Sequence, residues 1–213
     1  MKKIILCAAV CAMVFSTEVY AQQSHPLDGV YFGLGVGGNF FKTSDEVTPR
    51  RDGTEVRDGN YNANRFMGSV VIGGGKVINK IYGGFEALFD IMKNKKIEMY
   101  TINPASGDSQ LAGDLQMKGF IPQGNIKVGY SIQDNIVAYG KLGCAWSKVQ
   151  KTQNSETKSK SKVSFVLGVG TEMALNNNFS TGLEADYNFG FKADGTTYNR
   201  GINVRALMKY NIK

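Results

Sequence analysis

Residues 179–189 read FSTGLEADYNF. Phe179, Leu183, Ala185, Tyr187 and Phe189 fall on one parity, and Ser180, Gly182, Glu184, Asp186 and Asn188 on the other. Successive side chains of a strand point to opposite faces, so this stretch has one apolar face and one small, polar or charged face. Glycine weakens a strand unless crowding or close approach calls for it. Gly182 beside Glu184 and Asp186 therefore marks the charged face as the crowded one, and the apolar face as the one that looks outward.

The same alternation recurs seven more times after Asp28. Val30, Phe32, Leu34 and Val36 oppose Tyr31, Gly33, Gly35 and Gly37; Phe66, Val70 and Ile72 lead into Gly73, Gly74 and Gly75. Ile81, Phe85 and Phe89 oppose Tyr82, Gly84, Glu86 and Asp90, and Ile126, Val128 and Tyr130 oppose Asn125 and Lys127. Leu142, Cys144 and Trp146 oppose Lys141 and Gly143; Phe165, Leu167 and Val169 oppose Gly168, Gly170 and Glu172. Val204, Ala206 and Met208 oppose Asn203, Arg205 and Lys209. Each run is about ten residues, the length of a tilted transmembrane strand.

The connections sort by length. Asn79-Lys80, Gln133-Asp134-Asn135 and Asn176-Asn177-Asn178 are tight polar turns, whereas residues 42–64, 93–116, 149–162 and 190–200 are longer polar stretches. Long and short alternate, as in barrels with long outer loops and short periplasmic turns. The sequence thus predicts an all-β protein, an eight-stranded antiparallel up-and-down transmembrane β-barrel. Lipid cannot satisfy open backbone groups, so only closure makes such strands viable in a membrane.

The N-terminus predicts export. Lys2 and Lys3 precede an apolar run from Ile4 to Phe15, and Val19-Tyr20-Ala21 supplies small residues for a cleavage site. Residues 1–21 read as a signal peptide and 22–213 as the barrel domain. With the leader removed, Cys144 is the only cysteine, which excludes an intrachain disulfide and a cysteine-built metal site. The net charge is +7, basic enough to raise nucleic acid as a partner, but an exported chain meets anionic lipid or a polyanionic surface instead.

On this threading, Phe40, Phe66, Phe89, Phe120, Trp146, Tyr187 and Phe189 sit at the outer ends of outward faces, with Tyr130, Phe179 and Tyr210 at the periplasmic ends. Those positions form two aromatic girdles. Inside the bore fall Glu86, Lys127, Lys141, Glu184 and Arg205, a predicted charge cluster. Buried charges must pair, and eight strands enclose only room for side chains, so the interior reads as a salt-bridged plug.

Phrases such as Gly129-Tyr130-Ser131-Ile132 and Tyr139-Gly140-Lys141-Leu142-Gly143, set in this strand and loop plan, resemble the OmpA/OmpX-like small outer-membrane barrels, including opacity-type surface antigens. The resemblance covers the mature chain. It implies an interior acid–base cluster on the third, fourth, seventh and eighth strands, whose matching quartet is Glu86, Lys127, Glu184 and Arg205. Barrels of this kind usually end in an aromatic residue read by the assembly machinery. This chain ends Tyr210-Asn211-Ile212-Lys213, so either Tyr210 serves or another ending is used.

A filled bore moves function to the outer loops. Loop residues Lys148, Lys151, Lys158, Lys160 and Lys162 face only Glu156 in charge, a candidate dock for lipopolysaccharide phosphates or a host surface polyanion or receptor. Loop one mixes Arg50, Arg51, Asp52, Glu55, Arg57 and Asp58. The expected function is a non-enzymatic surface protein in the bacterial outer membrane, monomeric, among outer-membrane lipid and lipopolysaccharide, with no nucleic-acid partner, no cofactor and no catalytic or metal site. The alternatives are a lipid-A-modifying barrel enzyme, a small porin-like channel, and a soluble lipocalin-like carrier. The enzyme would want a histidine to activate a serine. The single histidine, His25, precedes the first strand and reads as a tail residue.

Overall fold

The computed structural model describes residues 25–44, 48–49, 55–57, 61–102, 109–153, 156–193 and 196–212. The expected signal peptide lies outside them, as do Arg50, Arg51, Asp52 and Asp58 of loop one. The strands are β1 (Gly29–Ser44), β2 (Thr48–Pro49), β3 (Glu55–Arg57), β4 (Tyr61–Ile78), β5 (Ile81–Met92) and β6 (Lys95–Ile102). They continue with β7 (Ser109–Met117), β8 (Phe120–Gln133), β9 (Ile136–Gln153), β10 (Glu156–Ala174), β11 (Phe179–Ala193) and β12 (Thr196–Ile212).

Eight of these form a closed antiparallel ring in the order β1-β4-β5-β8-β9-β10-β11-β12. The ring closes where β12 pairs with β1, from Val30 opposite Ile212 to Ser44 opposite Thr197. Closure removes the sheet edges, whose open backbone groups lipid could not satisfy.

The short turns follow from local chemistry. Ile78 pairs with Ile81, and between them Asn79 and Lys80 have φ of 50° and 68°. Two successive left-handed residues make the primed turn whose twist matches that of the flanking strands. At the next-to-last turn, Asn176 Oδ1 accepts from the backbone N–H of Asn178 at 2.9 Å and of Phe179 at 2.8 Å. The asparagine side chain mimics a backbone turn.

The outer connections differ from the loops the sequence suggests. The barrel strands run 12 to 19 residues, longer than the bilayer requires. Residues 149–153 and 156–162 continue the β9–β10 ladder, paired up to Gln153 opposite Glu156. Strands β6 and β7 make a second hairpin, with β7 paired to β9 and β6 to β3, which in turn pairs with β2. The barrel below sets the register, and Thr, Val and alternating polar residues suit an extended ladder even outside the membrane.

The outward face is apolar and bare: Leu34 is 68 % exposed, Phe66 75 % and Phe165 67 %, whereas the inward Val71, Leu88 and Val166 are 0 % exposed. Such a belt is stable only against lipid. At its outer rim Phe89 stacks on Phe120 at 6.2 Å, and Tyr187 meets Phe189 edge-on at 4.9 Å. At the periplasmic rim Tyr210 packs on Phe179 at 5.2 Å and on Phe32 at 5.4 Å.

The bore holds three apolar groups. Leu27, Tyr82, Val137, Tyr139 and Ala174 fill the periplasmic mouth. Tyr31, Val71, Leu88 and Leu207 make a second, and Met67, Met92, Ile121, Ala145 and Val166 a third toward the outside. Leu27 enters through a turn before β1: the Asp28 N–H donates to the His25 carbonyl at 2.9 Å, and Asp28 Oδ1 accepts from the Val77 N–H at 2.7 Å. Residues that read as a tail therefore stopper the barrel. The inward glycines make room for rings: a Cβ on Gly170 would stand 2.7 Å from Tyr139 Cζ.

Candidate functional site

Period-two alternation puts charged residues of six strands, β5, β8, β9, β10, β11 and β12, into one bore, where they are buried. Lys127 on β8 is the hub, with a side chain 0 % exposed. It donates to Glu86 of β5 and, at 2.9 Å, to Glu184 Oε1 of β11. The Tyr139 hydroxyl donates to that same oxygen at 2.6 Å, and its ring lies 4.6 Å from Lys127 Nζ. Tyr31 Oη donates to Glu86 Oε2 at 3.1 Å.

Lys141 of β9 donates to Glu184 Oε2 at 2.5 Å and sits 2.9 Å from Asp186 Oδ1. Arg205 of β12 lies 3.4 Å from Glu184, but its nearer partners are Asp186 and, at 3.0 Å, Asp90. Asp90 also accepts from Ser69 Oγ at 2.6 Å and Gln123 Nε2 at 2.8 Å. Toward the periplasm, Lys209 donates to Glu172 at 2.6 Å, and Ser180 Oγ donates to Glu172 at 2.8 Å. The five sequence-selected charges thus share one network, to which Asp90, Asp186, Glu172, Lys209 and the two tyrosine hydroxyls also belong. Each ion stranded alone in such a setting would cost several kcal/mol. Paired, they tie facing walls together.

His25 is no loose tail residue. Its Nδ1 accepts from the Leu27 N–H at 3.2 Å, which leaves the ring proton on Nε2, 3.3 Å from Ser131 Oγ. The serine hydroxyl in turn donates to the Gln133 carbonyl at 2.8 Å. A base awaiting a serine proton needs the opposite arrangement, with a free lone pair on Nε2. This pair fastens the stopper to the β8–β9 turn.

The five loop lysines lie on the β9–β10 hairpin. The register sets Lys158 opposite Lys151, Lys160 opposite Val149, Ser161 opposite Lys148, and Lys162 opposite Ser147. Lys148 and Lys162 are exposed. Two features escaped sequence reasoning: the Leu27 stopper, and Arg65, which is buried at the outer mouth. The signal for Arg65 was its parity with Met67 and Ser69, one position beyond where the apolar run of its strand begins.

A closed ring of eight strands, apolar and aromatic-girdled outside and charged within, defines a transmembrane β-barrel of the bacterial outer membrane. Residues 7–209 match the model of the outer membrane protein beta-barrel domain, and the chain belongs to that family. The 31 kDa outer-membrane immunogenic proteins of Brucella melitensis and Brucella suis are each 26 % identical to it over 198 residues, covering 84 % of this chain and 79 % of theirs. Among solved structures, the attachment invasion locus protein Ail of Yersinia pestis is similar at 14 % identity and a TM-score of 0.48, covering 86 % of this chain and 98 % of Ail. Neisserial surface protein A is similar at 12 % identity and a TM-score of 0.49, covering 87 % of this chain and 100 % of that one.

Proposed function

We propose that this barrel is a non-enzymatic surface protein whose β9–β10 hairpin docks polyanions, either lipopolysaccharide phosphates or an acidic host polymer. One observation carries the reading: the hairpin ladder brings Lys158 opposite Lys151, with Lys148, Lys160 and Lys162 on the same two strands. Like charges directly opposite one another destabilise a strand pair, and a bound polyanion relieves them. Glu156 is the single acid in that stretch of sequence. The relatives named as immunogenic outer-membrane proteins fit a surface-exposed role.

In the same reading, residues 1–21 direct export and are removed, the barrel works as a monomer, and the ionic network is a structural plug. The test replaces Lys148, Lys151, Lys158, Lys160 and Lys162 by Gln in protein folded into vesicles, and measures binding of dextran sulfate and of lipopolysaccharide. Exposed ion pairs contribute a few tenths of a kcal/mol to about 1 kcal/mol each, so affinity should fall about tenfold or more. Wild-type binding should also weaken as salt rises. Undiminished binding by the folded variant would overturn the reading.

A further inference from the structure

Among the described residues, the network of the bore leaves one buried cation out. Arg65 of β4 is only 8 % exposed, yet no carboxylate lies within ion-pairing distance of it among the described residues. Its Nε and Nη2 both donate to Asn39 Oδ1, at 3.2 and 3.0 Å, and its guanidinium lies over the Phe41 ring at 4.7 Å. Nη1 is buried and donates to nothing among the described residues. The acids of the network are beyond reach, because Met67, the next inward position of β4, belongs to the apolar group that also includes Met92 and Ile121. A guanidinium cannot shed its charge, so a buried one needs an anion.

The place of Arg65 in the ring says where that anion comes from. Strand β4 stands halfway round the barrel from β10 in either direction, so Arg65 sits in the wall opposite the lysine hairpin. A chain lying on that hairpin and across the mouth would approach Arg65 from the outer side. We infer that the outer mouth of the barrel is an oxyanion site, in which one sulfate, phosphate or carboxylate group of an extracellular ligand pairs with Arg65 through Nη1. A planar fork of donors matches such groups well. The inference deepens the polyanion reading, on which it relies for the source of the ligand but not for the site itself.

The full-length protein, folded into vesicles and checked by heat-dependent gel mobility, is titrated with sucrose octasulfate, a small polysulfated probe. Arg65→Gln should weaken binding about tenfold or more, the value of one charge-assisted hydrogen bond, while Arg65→Lys should recover most of it. Asn39→Asp tests the same point without touching the arginine. It places a carboxylate where Arg65 already donates twice, so it should raise the urea midpoint and abolish the dependence of probe binding on Arg65. Probe binding at wild-type strength by folded Arg65→Gln or Asn39→Asp would overturn the inference. Loss of dextran sulfate binding in the hairpin variant, with sucrose octasulfate still bound, would leave the mouth site standing. The converse would leave only the hairpin. Parallel titrations with lipopolysaccharide and with dextran sulfate separate a lipid-borne phosphate from a polymer sulfate.

Discussion

Lys127 carries more of the interior than any neighbour, because it hydrogen-bonds both Glu86 on one wall and Glu184 on the other, whereas Lys141 bonds Glu184 and reaches Glu86 only at 3.8 Å. Lys127→Met keeps the volume of the aliphatic stem but leaves two buried carboxylates a cation short. Urea unfolding of the vesicle-folded protein should show a loss of about 3–5 kcal/mol, the penalty of breaking a buried pair from one side. Lys148→Gln on the hairpin should shift the same transition by no more than about 0.5 kcal/mol. The inward facing of Glu86, Lys127, Lys141, Glu184 and Arg205 was legible in the sequence, since a period of two assigns a face to every residue. Their partners were not. That Arg205 engages Asp186 and Asp90 more closely than Glu184 depends on how side chains cross the bore, which no single strand encodes. Leu27 was invisible for a different reason, since one residue in a proline-containing turn has no periodicity.

Turns and hairpins set the register that these side chains exploit. Lys80 holds a left-handed conformation, φ 68°, that a side chain with a Cβ adopts at a cost of roughly 1 kcal/mol. Lys80→Gly produces the Asn-Gly pair that such a turn prefers. It should raise the urea midpoint modestly, by no more than about 1 kcal/mol of stability, with no change in ligand binding. An unchanged or lower midpoint would mean that the lysine has contacts that offset its strain. The eight membrane crossings were legible because lipid enforces a strict contrast between faces. Their extensions were not, because above the membrane both faces meet water and alternation loses its meaning. Residues 149–153 pair as strand only because the barrel delivers them in register with 156–160.

At the scale of the molecule, a bore closed by a stopper, an ionic network and a methionine-lined group should pass no steady current. Planar-bilayer recordings of the folded protein should stay at baseline, and Leu27→Ala should not open it, since the network above the stopper remains. Sustained steps in the wild type would return the porin-like alternative. The seam between β1 and β12 has a further consequence, which concerns time. Val30 meets Ile212 there, so the pairing that shuts the ring joins nearly the first described residue to the last. Until the final strand arrives, β1 has one unsatisfied edge, and every earlier intermediate is an open sheet ready to pair with the wrong partner. Loop-closure entropy makes so distant a contact slow to form. The chain must therefore be kept apart from its own copies from synthesis to the membrane, and its assembly ends with a zipper whose two halves are the first and last strands of the barrel.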